Sequence, residues 1–148
     1  MHRIKEKNIY DTILSYTAEQ WNPLLDLIPQ IESHRRFTQD VNDLVDTEEF
    51  GTFCYCVPVE LINRFQNAVY WMPILIDFEW DRWEDALELI HEDYFDFDFD
   101  TLDIPTKCII ITAIIDLDKS TDYEVIKGKL QNGFILMLLK SIKAQLAI

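Results

Sequence analysis

The stretch that decides the fold is CIIITAII, residues 108–115. Its β-branched residues suit a buried strand. The residues before it argue otherwise. Asp103-Ile104-Pro105 puts an acid at a capping position and a proline in a first helical turn. No other long run offers a convincing partner strand, so the sequence predicts a helix here. On that reading the fold is mostly α, a single compact domain of about six helices over residues 1–148, with 1–7 frayed. It leaves room for one short strand pair, for which 53–57 and 94–99 are the candidate segments.

Immediately upstream lies DFEWDRWEDALELIHEDYFDFDFDTLD, residues 77–103, with 12 carboxylates and one base, Arg82. Asp81 reads as a helix N-cap with Glu84 as its box partner. Trp83, Leu87 and Ile90 fall on one side of that helix, and Glu84, Asp85, Glu88 and Glu92 on the other. Beyond it, rings and acids alternate. If extended, Phe95, Phe97 and Phe99 point one way and Asp96, Asp98 and Asp100 the other. Asp93, Tyr94, Phe95, Asp96, Phe97, Asp98, Phe99 and Asp100 therefore form the candidate site. In such an acidic-aromatic strip the rings supply anchoring area and the carboxylates meet a basic protein surface.

Toward the N-terminus, Asn8 or Asp11 can cap a first helix carrying Ile9, Ile13, Leu14 and Tyr16. Thr17 and Gln20 fit a capping box. The helix after it carries Trp21, Leu24, Leu25, Ile28 and Ile31, with Pro29 expected to kink or end it. His34-Arg35-Arg36-Phe37 reads as a helix end, followed by a short helix with Val41, Leu44 and Val45. Pro58 opens a helix to about Trp71, with Val59, Ile62, Phe65, Val69 and Tyr70 near one face. Toward the C-terminus, Thr121-Asp122 caps a short helix to about Leu130. Asn132-Gly133 breaks it, and Phe134 to about Leu146 forms a buried last helix. The expected core is Trp21, Leu24, Ile28, Phe65, Val69, Trp83, Leu87, Ile110, Ile114, Ile135, Leu138 and Leu139.

Composition narrows the function classes. The formal charge of -14 repels phosphate backbones and anionic membrane surfaces, so neither nucleic acid nor membrane is the expected partner. The longest apolar runs, about eight residues, fall short of the roughly 20 that span a bilayer. MHRIKEKNIYDTILSY lacks the continuous apolar core of a signal peptide. Cys54, Cys56 and Cys108 make an odd count, which fits a reduced cytoplasmic protein. His2, His34 and His91 are isolated, Cys54-x-Cys56 alone is no zinc half-site, and the DFDFD run lacks the glycine and distal glutamate of a calcium loop. No metal and no cofactor is expected. Cys108 and His91 could formally pair as nucleophile and base, but an aliphatic run keeps a thiol inert. The reading leans away from an enzyme.

The second half resembles an uncharacterised bacterial family, a domain of unknown function. The likeness rests on Phe78-x-Trp80-x-x-Trp83, the Leu102-Asp103 start, Thr112-Ala113-Ile114-Ile115, and Asn132-Gly133-Phe134-Ile135 through Leu138 and Leu139, over about residues 70–142. The family pattern continues with arginine, then arginine-phenylalanine, then an acid and glycine. Here Asp116 stands at the first arginine, Lys119-Ser120 at the pair and Tyr123 at the glycine. The resemblance implies a mostly helical fold and no established activity, and it hands over no catalytic residue.

The expected function is a non-catalytic, acidic protein-interaction module of the cytoplasm. An immunity or antitoxin role, covering a basic toxin surface, would suit the charge. A small carboxylate-dependent enzyme is the alternative, and a DNA-mimic inhibitor a second. Homo-oligomerisation is left open.

Overall fold

The computed structural model describes residues 3–44, 57–77, 99–120 and 124–146. In chain order the elements are β1 (Ile4–Lys5), a 3-10 turn (Glu6–Asn8), α1 (Ile9–Leu14), α2 (Ala18–Leu25), α3 (Leu27–Leu44), α4 (Val59–Trp71) and β2 (Ile76–Asp77). A second 3-10 turn (Phe99–Thr101), α5 (Ile104–Ser120), α6 (Val125–Gln131) and α7 (Phe134–Gln145) complete them. The fold is mostly α, with one two-residue strand pair among the described residues.

The helix expected over residues 108–115 is the middle of α5. Asp103 caps it: its Oδ1 accepts the Thr106 amide at 2.8 Å. Pro105 falls in the first turn, where no intrahelical donor is needed. Every residue from Lys107 to Ile115 is buried. α1, α6, α7 and β2 all pack on this helix. A helix apolar on every face is a core helix, and burial outweighs the strand preference of its isoleucines.

α2 packs on α3, α4 and α7, and α3 packs on α4 and α7. Thr17 and Gln20 make the expected box: the Thr17 amide donates to Gln20 Oε1 at 2.8 Å. Trp21, Leu24, Ile28, Phe65, Val69, Ile110, Ile114, Ile135, Leu138 and Leu139 are all buried, as the sequence predicts. Trp83 and Leu87 lie outside the described residues. Each fully buried large side chain contributes roughly 1.5–3 kcal/mol, so packing across the helices sets the stability.

Several local expectations are corrected. The segment expected to fray is tied down from Arg3 onward. Ile4 is buried, its amide donates to the Leu75 carbonyl at 2.8 Å, and Ile4 and Lys5 pair in parallel with Ile76 and Asp77. Among the described residues the strand pair is therefore formed by 4–5 and 76–77. Of the segments proposed for it, only Val57 and Phe99 are described, and Phe99 belongs to a 3-10 turn.

The chain breaks at Asp26, three residues before Pro29. The proline sits in the first turn of α3, where its missing donor costs nothing. No break follows at 34–37, and α3 runs on for 18 residues. Pro58 immediately precedes α4, which opens there as expected, but the buried face is Leu61, Phe65, Ala68 and Val69, with Val59 exposed. Gly133, at φ 88°, occupies the left-handed region that separates α6 from α7.

Candidate functional site

The acidic stretch is described at its two ends, Asp77 and residues 99–103, which adjoin α5 and α7. At its start, the Ile76 amide donates to Thr112 Oγ1 at 3.0 Å, and that hydroxyl donates to the Cys108 carbonyl at 2.8 Å. One threonine thus satisfies a strand donor and a helix acceptor in the core. Just ahead of it, Arg3 forms a bidentate pair with Asp116, at 2.8 and 2.6 Å. This pair ties the residue before β1 to α5 and raises the Arg3 guanidinium above its ordinary value, against the opposing effect of burial.

At the other end, Phe99 is buried, 4% exposed, and meets Phe134 edge-on with centroids 5.1 Å apart. Lys129 Nζ lies 5.0 Å from the centroid of the Phe134 ring. Ser141 Oγ donates to Asp100 Oδ1 at 2.8 Å and accepts from Lys107 Nζ at 2.5 Å. Lys107 is fully buried. A cation, a hydroxyl and a carboxylate therefore run in one hydrogen-bonded line from the core to the exposed Asp100. Gln145 Nε2 donates to the Leu102 carbonyl at 2.7 Å. Lys107 and Thr112 are five residues apart on α5, about 7.5 Å along its axis.

Asp103 closes this end. Burial works to raise its carboxyl, but hydrogen bonds from Thr106 and Tyr10 and the charge of Lys107 outweigh it and hold it below the usual range. Tyr10 donates to Asp103 at 3.0 Å, and its own hydroxyl is pushed up by that bond.

Of the sequence-predicted site, the structure places two residues. Phe99 is an interior anchor and not a docking ring. Asp100 is exposed but engaged by Ser141. Asp93, Tyr94, Phe95, Asp96, Phe97 and Asp98 lie outside the described residues. Sequence reasoning missed Lys107 and Ser141. The available signals were a lysine opening an otherwise apolar run and a serine three residues after Leu138 on the apolar face of α7.

Elsewhere, burial pushes the Cys108 thiol far above its ordinary value, which suppresses nucleophilic chemistry there. His91 is outside the described residues. Among the described residues no group of three or more His, Cys, Asp or Glu could hold a metal ion, and no helix is long and apolar enough to cross a membrane.

A model for a family of unknown function, DUF6508, matches residues 16–147. The chain belongs to that family. No curated protein and no solved structure matches it. The DUF6508 match reaches well before the resemblance over 70–142 and takes in α2, α3 and α4. In this DUF6508 chain the Thr-Ala-Ile segment is the part of α5 that receives the Ile76 amide. Asp116, where the resembled pattern has arginine, is here the partner of Arg3.

Proposed function

We propose that this DUF6508 member is a non-catalytic, acidic protein-interaction module of the cytoplasm. It engages a basic protein surface through the strip Asp93–Asp98, and an immunity- or antitoxin-like role fits that chemistry. The observation that carries the reading is the distribution of charge. Residues 77–103 hold 12 of the 27 carboxylates and one of the 13 cations, while the other 15 acids are nearly offset by 12 bases. Charge gathered in one stretch steers a basic partner and accelerates encounter.

The bracketing residues support the same reading. Ile76 at one end and Phe99, Asp100 and Asp103 at the other are fastened to buried helices. Anchored ends lower the entropy lost when a strip is captured. Phe99 and Asp100 thus serve as its mooring, and the proposal assigns Tyr94, Phe95 and Phe97 to the partner.

Capture of partners from a native lysate tests the proposal. A basic protein should be retained at about 50 mM salt and released at several hundred millimolar. Asp96→Asn with Asp98→Asn should slow association with the captured protein about tenfold at unchanged melting temperature. Recovery of no basic protein at low salt, or an unchanged on-rate in the variant, would remove the reading.

A further inference from the structure

A second surface lies on helices that carry none of the strip's residues. An open cleft of about 380 Å³ runs between α2–α3 and α4, lined by Pro23, Asp26, Leu27, Arg64, Asn67 and Trp71 among others. Trp71 is 79% exposed, the most exposed large apolar side chain among the described residues. Proline, leucine and alanine carbons supply apolar wall beside it.

The cleft walls are fixed to each other. Gln30 Nε2 donates to the Asp26 carbonyl at 3.2 Å, and its Oε1 accepts from Arg64 at 2.5 Å. Arg64 is also paired with Glu60. Its charge is therefore matched, and Gln30 is satisfied at both ends. What remains is the exposed carboxylate of Asp26, which has no ion-pair partner among the described residues. An uncovered indole face and an unmatched carboxylate lining one preformed cleft make a combination suited to a guanidinium or ammonium: the ring attracts the cation and the carboxylate fixes it.

We propose that this cleft seats an arginine or lysine side chain of a basic protein partner, stacked on Trp71 and paired with Asp26. The partner's chemistry rests on the reading above, but none of the strip's residues takes part. A carboxylate ligand is disfavoured by Asp26, and a purely apolar one leaves that charge unused.

Titration with acetyl-arginine-amide, followed by the indole resonance of Trp71, tests it. The resonance is assigned by its loss in Trp71→Phe. Acetyl-arginine-amide should shift it in a saturable way, and acetyl-leucine-amide and acetyl-glutamate should not. Asp26→Asn should weaken the response about fivefold, the size expected of an exposed ion pair. Both changes are at exposed positions, so matched melting curves keep the comparison valid. No shift with the arginine probe, an equal shift with the leucine probe, or an unchanged affinity in Asp26→Asn would overturn the proposal. The response should persist in Asp96→Asn/Asp98→Asn. That variant therefore separates failure of the strip from failure of the cleft.

Discussion

Lys107 on α5 donates to Ser141 on α7 from a position with no solvent access, and the serine passes the contact on to Asp100. Substituting Ser141 by alanine removes an acceptor from a buried lysine and a donor from Asp100. The expected loss is about 2–3 kcal/mol of unfolding free energy, measured by chemical denaturation. Asp100→Asn should be milder, about 1 kcal/mol, because that carboxylate is exposed. A Ser141→Ala variant as stable as the parent would show that the line carries no load.

Thr112 gives a sharper substitution. Thr112→Val keeps the shape but leaves the buried Ile76 amide without its acceptor, at a cost of about 1–3 kcal/mol. Thr112→Ser retains the hydroxyl and should recover most of that loss, beyond the small packing deficit of a missing methyl. Equal stability of the valine and serine variants would contradict the bridging role.

The pair between Arg3 and Asp116 should report on the N-terminal strand. Both side chains are partly solvated, so breaking it costs no more than about 1 kcal/mol globally. Its local effect is larger. Asp116→Asn should speed hydrogen exchange at the Ile4 amide, which is bonded to Leu75, while amides in the middle of α5 keep their protection.

Acid sensitivity follows from Asp103. Its folded pKa lies below the ordinary value of about 3.9, so the folded state holds its proton less tightly than the unfolded one. The contribution is therefore full above about pH 4 and lost as pH falls through the lower folded value. Asp103→Asn, which retains the cap but not the charge, should be less stable than the parent at pH 7. The difference should shrink steadily below pH 4. Asp103→Ala loses the cap as well, about 1 kcal/mol more at every pH.

Elements announced by neighbouring residues were legible in the sequence. The Asp103–Pro105 start of α5, the Thr17–Gln20 box, Pro58 before α4 and Gly133 before α7 are all local signals, and each stands where the spacing puts it. Pairings across long sequence separations were not. A two-residue strand has too few positions to show a period, and Ile4 finds Ile76 only through the tertiary fold. The basic residues at 34–37 read as a helix end. Arg35 does serve one, but on another helix: it donates to the carbonyls of Leu130 and Gln131 at the end of α6. The candidate site divides the same way. Its acids and rings stand in plain view along the chain. That Phe99 turns inward and Asp100 is claimed by Ser141 depends on α7, some 40 residues on.

The sealed position of Cys108 makes its sulfur a stopwatch for unfolding. In a Cys54→Ser/Cys56→Ser background, an alkylating reagent in excess can reach that atom only when α5 parts from its neighbours, so the modification rate counts those openings directly. A partner that clamps the folded form should slow the clock, whichever surface it holds.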